Sequence, residues 1–195
     1  MVEPTTTNTL PPPPRPSKPA PSTAGPLSAK SLPVPDGWKT VVRKGGSEAG
    51  FEGNGTWVRG RDPRYAAQDV ITLGCAVVTR DDYSDPTAAL EGSYQKEGQP
   101  GIGLVLQFSS DAKASDFYAL YLRQVRACSV GSTGLLIKVV ATDPGLIDQR
   151  SAPDGDWTEV GALVGRRLTL VILGDPGHRI TQQQSERLLA TIASR

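Results

Sequence analysis

Histidine is almost absent from this chain: His178 is the sole one in 195 residues. Histidine is the usual general base and the commonest metal ligand near neutral pH. One histidine leaves little material for His-based triads or His/Cys zinc sites. A serine nucleophile needs a base within reach, and no Gly-x-Ser-x-Gly elbow occurs. Catalysis, if any, would have to run on carboxylates, Lys, Tyr or Ser. No catalytic residue, cofactor or metal is assigned. An excess of one charge is also missing, with 21 basic against 20 acidic side chains. The basic surplus of a nucleic-acid binder is therefore absent, and no nucleic acid is expected as a partner. No apolar run reaches the roughly 18 residues that read as a membrane span.

Cysteine is scarce too, with only Cys75 and Cys128. An even count in an exported chain points to a disulfide. The alternative is two buried thiols in a cytosolic protein. A bridge would close a loop of about 50 residues, worth roughly 4 kcal/mol in the chain-entropy account. A signal peptide is not visible after Met1, because Val2-Glu3-Pro4 offers neither a basic nor an apolar region. Met1 reads as a stand-in for a removed export segment; the alternative is a cytosolic start with a disordered tail.

What is abundant at the start is proline. Residues 1–32 carry Pro11 to Pro14 in a row, then Pro16, Pro19, Pro21 and Pro26, with Thr, Ser and Ala between them. Proline fixes φ and lacks a donor, so the stretch favours polyproline II. It holds few large apolar residues to offset its ordering entropy. The expectation is a disordered tether over 1–32, with a ligand for SH3-type domains as a lesser alternative, and a single domain over 33–195.

Within that domain, Thr56 to Arg61 reads as a short strand. Val70 to Thr79 reads as a longer one, with Ile71, Leu73, Cys75 and Val77 on one face. Thr87 to Gln95 places Ala88, Leu90 and Tyr94 on its inward face. Ile102, Leu104, Leu106 and Phe108 form the inward face of a second run, and Lys96-Glu97-Gly98-Gln99 supplies the turn between them. Ser110 caps a helix over Asp111 to Cys128, whose inward arc is Ala114, Phe117, Tyr118, Tyr121, Val125 and Cys128. After Gly131 and Gly134, Leu135 to Thr142 is a strand. A loop then runs from Asp143 to Asp156. Trp157 to Val164 and Arg167 to Leu173 form a hairpin about Gly165-Arg166, the second strand apolar on both faces and so central. Thr181 and Gln184 make a capping box for a last helix burying Leu188, Leu189 and Ile192. The fold class is α+β: an antiparallel sheet with two main helices packed against it and one disulfide.

Three local motifs have ordinary readings. Asp81-Asp82-Tyr83-Ser84-Asp85 is a solvated turn before Pro86, with Ca²⁺ binding as the alternative. Gly53-Asn54-Gly55-Thr56 is a turn that also spells a glycosylation sequon. Gly174 to Arg179 is a surface connection, with His178 and Arg179 meeting an anion at a helix N-terminus as the alternative.

The run Val105-Leu106-Gln107-Phe108-Ser109-Ser110-Asp111-Ala112-Lys113-Ala114, leading to Phe117, Gln124 and Ala127-Cys128, resembles a strand–helix segment of a known family. These are the extracytoplasmic sensor domains of actinobacterial serine/threonine kinases of the PknH type. There a strand ending in Phe-x-Ser-x-x-x-Ala precedes a helix closed by a disulfide cysteine. The family typically carries two disulfides, whereas this chain can form one. Leu32-Pro33-Val34-Pro35-Asp36-Gly37-Trp38 is similar to the opening of small actinobacterial lipoproteins with a PsbP-like α+β fold. The first resemblance implies a Cys75–Cys128 bridge and a cleft for a small ligand. Both imply a tethered, non-catalytic protein of the cell envelope.

The functional expectation is a secreted or lipid-anchored, sensor-like extracytoplasmic domain. It would bind an unidentified small molecule or cell-envelope component, and it would attach peripherally to the membrane through an N-terminal anchor not in this sequence. The alternatives are an envelope enzyme using carboxylates or tyrosines in a cleft, and a structural cell-wall interaction protein. Trp38, Trp57, Tyr118, Tyr121 and Trp157 are the side chains expected to line a pocket; otherwise the tryptophans plug edges of the core.

Overall fold

A computed structural model describes residues 9–130 and 134–195. In chain order it holds β1 (Lys39–Thr40), β2 (Gly45–Gly46), β3 (Phe51–Glu52), β4 (Val58–Arg61), α1 (Pro63–Ile71), β5 (Ala88–Lys96), β6 (Gln99–Gln107) and α2 (Asp111–Ala127). These are followed by β7 (Leu136–Ala141), β8 (Leu146–Ala152), β9 (Gly155–Val164), β10 (Arg167–Gly174) and α3 (Gln182–Ala193). One antiparallel sheet runs β1-β5-β6-β10-β9-β8-β7, and β4 shares the outer edge of β5 with β1. The fold is α+β, and β10 is the central strand, as its double-sided apolar pattern predicts.

Local chemistry sets these elements. Glu97 and Gly98 both take positive φ, +50° and +83°, in the two-residue turn joining β5 to β6, the conformation a type I′ hairpin needs. Ser110 caps α2 by accepting from the Lys113 amide. Thr181 and Gln184 close a reciprocal capping box on α3.

Both faces of the sheet are covered. On one, Ala89, Leu106, Leu168, Leu170, Leu146 and Ile137 pack against α1 and α2. Phe117 of α2 stacks obliquely on Phe108, with ring centres 5.1 Å apart. On the other, Val160, Ala162, Val171 and Leu173 receive Leu188, Leu189 and Ile192 of α3. Beside them Leu90, Ala88 and Val105 receive Leu27 and Leu32. The inward set read for β6 is thus half of it. Leu106 and Phe108 are buried, but Val105 is equally buried on the opposite face, while Ile102 is exposed.

Three expectations are corrected. The run Val70 to Thr79 is not a strand. Val70 and Ile71 finish α1, where they join Ala66 and Ala67 on one buried face. Residues 72–79 are irregular, and Val77 is 91% exposed. Asp62 accepts from the Arg64 amide and Pro63 stands first in the helix, a start signal stronger than the alternation that follows it. The stretch from Asp143 to Asp156 is not a loop throughout, because it contains β8. Its polar Asp148 and Arg150 are buried, so its alternation is not apolar against polar.

The third correction concerns the tether, of which residues 1–8 lie outside the described residues. Residues 19–32 belong to the folded body. The Ala20 amide donates to the Glu52 carbonyl at 3.1 Å, and the Gly60 amide to the Pro21 carbonyl at 2.6 Å. Asn54 Nδ2 donates to the carbonyls of Ala20 and Val58, while its Oδ1 accepts from Thr56. The expected Asn-Gly turn is present, and it also staples this segment down. Leu27 and Leu32 are the apolar residues that a count dominated by proline hides.

Cys75 and Cys128 form the disulfide, with Cα atoms 5.0 Å apart and a sequence separation of 53. It joins the end of α2 to the irregular segment after α1, not to a strand.

Leu27→Ala should cost about 3 kcal/mol, as for other fully buried leucines, and lower the melting temperature by about 6–12 °C. An unchanged melting curve would show that the segment is not seated. Mass spectrometry with and without reductant should show a two-proton difference. Paired Cys75→Ser and Cys128→Ser should cost about 4 kcal/mol in chemical denaturation.

Candidate functional site

A concave feature in two parts lies on the α3 face of the sheet. Pro33 and Pro35 hold the incoming chain extended, and the Tyr94 hydroxyl donates to the Pro33 carbonyl. The Trp38 amide then donates to the Pro35 carbonyl at 3.0 Å, with Gly37 at φ +78°. That is the positive φ a type II turn requires of its third residue. The turn lays Trp38, 8% exposed, against Leu173 and Val160.

Across from it stands α3. A narrow slot of about 40 Å³ is bounded by Val34, Trp38, Val160, Leu173, Ile180 and Leu188, with Lys96 and Arg187 at its sides. It opens beside a wider groove of about 360 Å³ flanked by Trp38, Lys96, Gln99, Arg179, Ile180 and Gln184. Trp38, Lys96, Ile180 and Gln184 line both parts. Lys96 is half-buried, and a side chain at Gly37 would sit 3.7 Å from its ammonium. Among the described residues, Lys96, Arg179 and Arg187 make no ion pair. Asp36 and Glu97 share the rim and are exposed.

Asp175 fixes the loop that forms one wall. It is 3% exposed, and its carboxylate accepts from the Thr158 hydroxyl at 2.7 Å, the Arg179 amide at 2.7 Å and the Ile180 amide at 3.0 Å. The Arg179 and Ile180 amides of the connection are therefore taken by this carboxylate, and the Gln184 amide of the first turn by the Thr181 hydroxyl. His178, at φ +51°, points Nε2 at Ser151 Oγ, 3.1 Å away, and lies 3.7 Å from Asp156 Oδ1. Both neighbours meet the same ring nitrogen. A nucleophilic relay needs the hydroxyl and the carboxylate on opposite nitrogens, so this trio is a clasp between β8 and the loop. The Gly177 amide and the Ser151 hydroxyl hold Asp156 below the usual carboxylate range.

The five expected pocket aromatics do not converge. Trp38 lines the groove. Trp57 stacks on Tyr94 at 5.7 Å and borders a separate shallow depression with Arg43 and Phe51. Tyr118 is half-buried under α2, where burial pushes its hydroxyl up. Trp157 pairs with Arg150 across β8 and β9. Tyr121 is wholly enclosed on the opposite side of the sheet from the groove.

Tyr121 instead serves a buried ionic cluster. Its hydroxyl donates to Glu159 Oε2 at 2.6 Å and accepts from Arg150 Nη2 at 2.7 Å. Arg150 also contacts Glu159 and donates from Nε to Asp148 Oδ1 at 3.0 Å. Asp148 and Glu159 are register partners on adjacent strands and both are 0% exposed. These are the paired carboxylates an enzyme reading would seek, but they are sealed from solvent and face an arginine. Burial pushes Asp148 up, against the pull of Arg150.

Lys96, Arg187 and Gln184 were not legible as site residues. Lys96 reads as part of a turn and Gln184 as half of a capping box, while Arg187 lies outside the apolar set of the last helix.

No protein-family model matches this chain, and no curated protein matches it. Among solved structures, the chain is similar to the extracellular domain of PknH from Mycobacterium tuberculosis, with a TM-score of 0.44 and 14% identity over 80% of each chain.

Arg150→Ala should cost about 3–5 kcal/mol, because it strands buried carboxylates. The raised Asp148 group favours the fold when protonated, and that contribution fades as pH rises through its folded value. Asp148→Asn should therefore gain stability relative to the parent at neutral pH, with the gain shrinking on acidification. A pH-independent difference in urea unfolding would contradict this.

Proposed function

We propose that this chain is an extracytoplasmic binding domain, acting by capture of a small ligand and not by catalysis. The observation that carries the reading is the groove between the Val34–Trp38 turn and α3. The floor of its narrow slot is apolar, its wider part is mostly polar, and a lysine that makes no ion pair among the described residues stands on the wall common to both. An apolar slot opening into a wider space with a few placed polar groups suits a small molecule with one apolar end and one polar end. The matching ligand has a compact apolar body for the slot beside Trp38 and an anionic group for Lys96, with Arg179 and Arg187 flanking. The Cys75–Cys128 bridge supports an oxidising location. The sealing of Asp148 and Glu159, and the single-nitrogen geometry at His178, are why binding is preferred over chemistry.

Titration calorimetry with octyl phosphate, inorganic phosphate, octanol and octyltrimethylammonium tests the reading. Octyl phosphate should bind best. Lys96→Gln with Arg179→Gln should weaken it about tenfold, the scale of one charge-assisted hydrogen bond. Equal binding of octanol or of the cation, or no saturable binding at millimolar concentration, would overturn it.

A further inference from the structure

The leading proline-rich stretch has a seat of its own. Tyr65 and Gln68 stand three residues apart on α1, on one helix face. The Tyr65 hydroxyl donates to the Pro11 carbonyl at 2.7 Å, and Gln68 Oε1 accepts from the Leu10 amide at 2.7 Å. Pro13, Pro14, Pro16 and Lys18 then form one side of a recess of about 330 Å³ whose other walls include Phe51, Arg59, Gly60 and Tyr65. The Arg59 guanidinium carbon stands over the Phe51 ring, 3.6 Å from its centre.

Two properties of this contact suggest recognition of a class of segment and not only of one sequence. Both hydrogen bonds address the backbone of the stretch, a carbonyl and an amide. Extended proline-rich chains are recognised in this manner, by aromatic-lined surfaces that use their preformed conformation. The hold is also light. Pro11 to Arg15 are exposed, and only Leu10 and Pro16 are half-buried, whereas the segment beyond Pro19 is anchored by backbone pairing and by Leu27.

We propose that the α1–β4 surface around Tyr65, Gln68 and Phe51 is a binding site for proline-rich extended segments, occupied in cis by residues 10–18 and open to such a segment of another chain when these lift away. The partner is defined by chemistry: consecutive prolines in polyproline II, preceded by a residue with a free amide.

The full chain carrying Pro11→Ser, Pro12→Ser, Pro13→Ser, Pro14→Ser and Pro16→Ser loosens the cis occupant without touching the seat. A fluorescent peptide of residues 7–18 should bind this variant saturably. It should bind the parent at least tenfold more weakly, because a tethered occupant competes at millimolar effective concentration. Adding Tyr65→Phe to the serine variant should weaken peptide binding about fivefold, the value of one hydrogen bond. The proposal falls if variant and parent bind the peptide equally, if Tyr65→Phe changes nothing, or if an all-serine version of the peptide binds as well, since Arg15 and Lys18 would then act as a simple charge contact. It falls equally if no peptide binds the variant at millimolar concentration.

Discussion

Two absent side chains organise the face that carries the groove. Gly92 and Gly103 sit opposite each other on β5 and β6. A Cβ on Gly92 would come within 2.5 Å of the Trp57 ring, and one on Gly103 within 2.5 Å of the Tyr94 hydroxyl. Neither ring has room to withdraw, because Tyr94 is anchored to Pro33 and Trp57 packs on Tyr94. The trough left by the two glycines also admits Leu32. Leu32 in turn delivers Pro33 and the turn that seats Trp38. The groove wall therefore depends on a feature several strands' width away from α3.

The opposite face is held by different means. There α2 is fixed by apolar packing through Phe117 and Ala114, by the disulfide at its C-terminal end, and by Tyr121 reaching into the Asp148–Arg150–Glu159 cluster. Burying three ionic groups is costly unless each is paired and hydrogen-bonded. Here the geometry links strand to strand and sheet to helix at once, which fixes the register of β8 against β9. One face thus offers space and the other rigidity.

How much of this could be read beforehand depends on whether a residue's partner lies nearby in the chain. The Ser110 cap, the Thr181–Gln184 box, the Glu97-Gly98 turn and the Gly165 hairpin are local, and each is where its residues point. The cysteine pair follows from having only two. The first helix escapes the sequence reading: Pro63 to Asp69 show no pattern picked up there, and Val70 and Ile71 fit the alternation that runs on through Leu73, Cys75 and Val77. β8 is hidden because Asp148, Gln149, Arg150 and Ser151 read as polar connection until Tyr121 and Glu159 are seen to partner Arg150, which in turn partners Asp148. The seating of Leu32 rests on the glycine trough, which no local pattern announces. Of the groove, Trp38 and Arg179 drew notice from sequence, whereas Lys96 gains meaning only when the Asp36-Gly37 turn is brought beside it.

The place of Leu27 bears on how this chain reaches its final shape. Its neighbours Val58, Leu90 and Val105 all come from far downstream, so the stretch made first must wait for a hairpin made much later. Contacts spanning such distances form slowly. Until they do, one side of β5 and β6 lies bare. The stretch destined to cover it is broken by prolines, which lack the amide a ladder requires. It therefore covers the finished strands while pairing with them only at single points, Ala20 with Glu52 and Gly60 with Pro21, and leaves no continuous ladder for a neighbouring chain to extend.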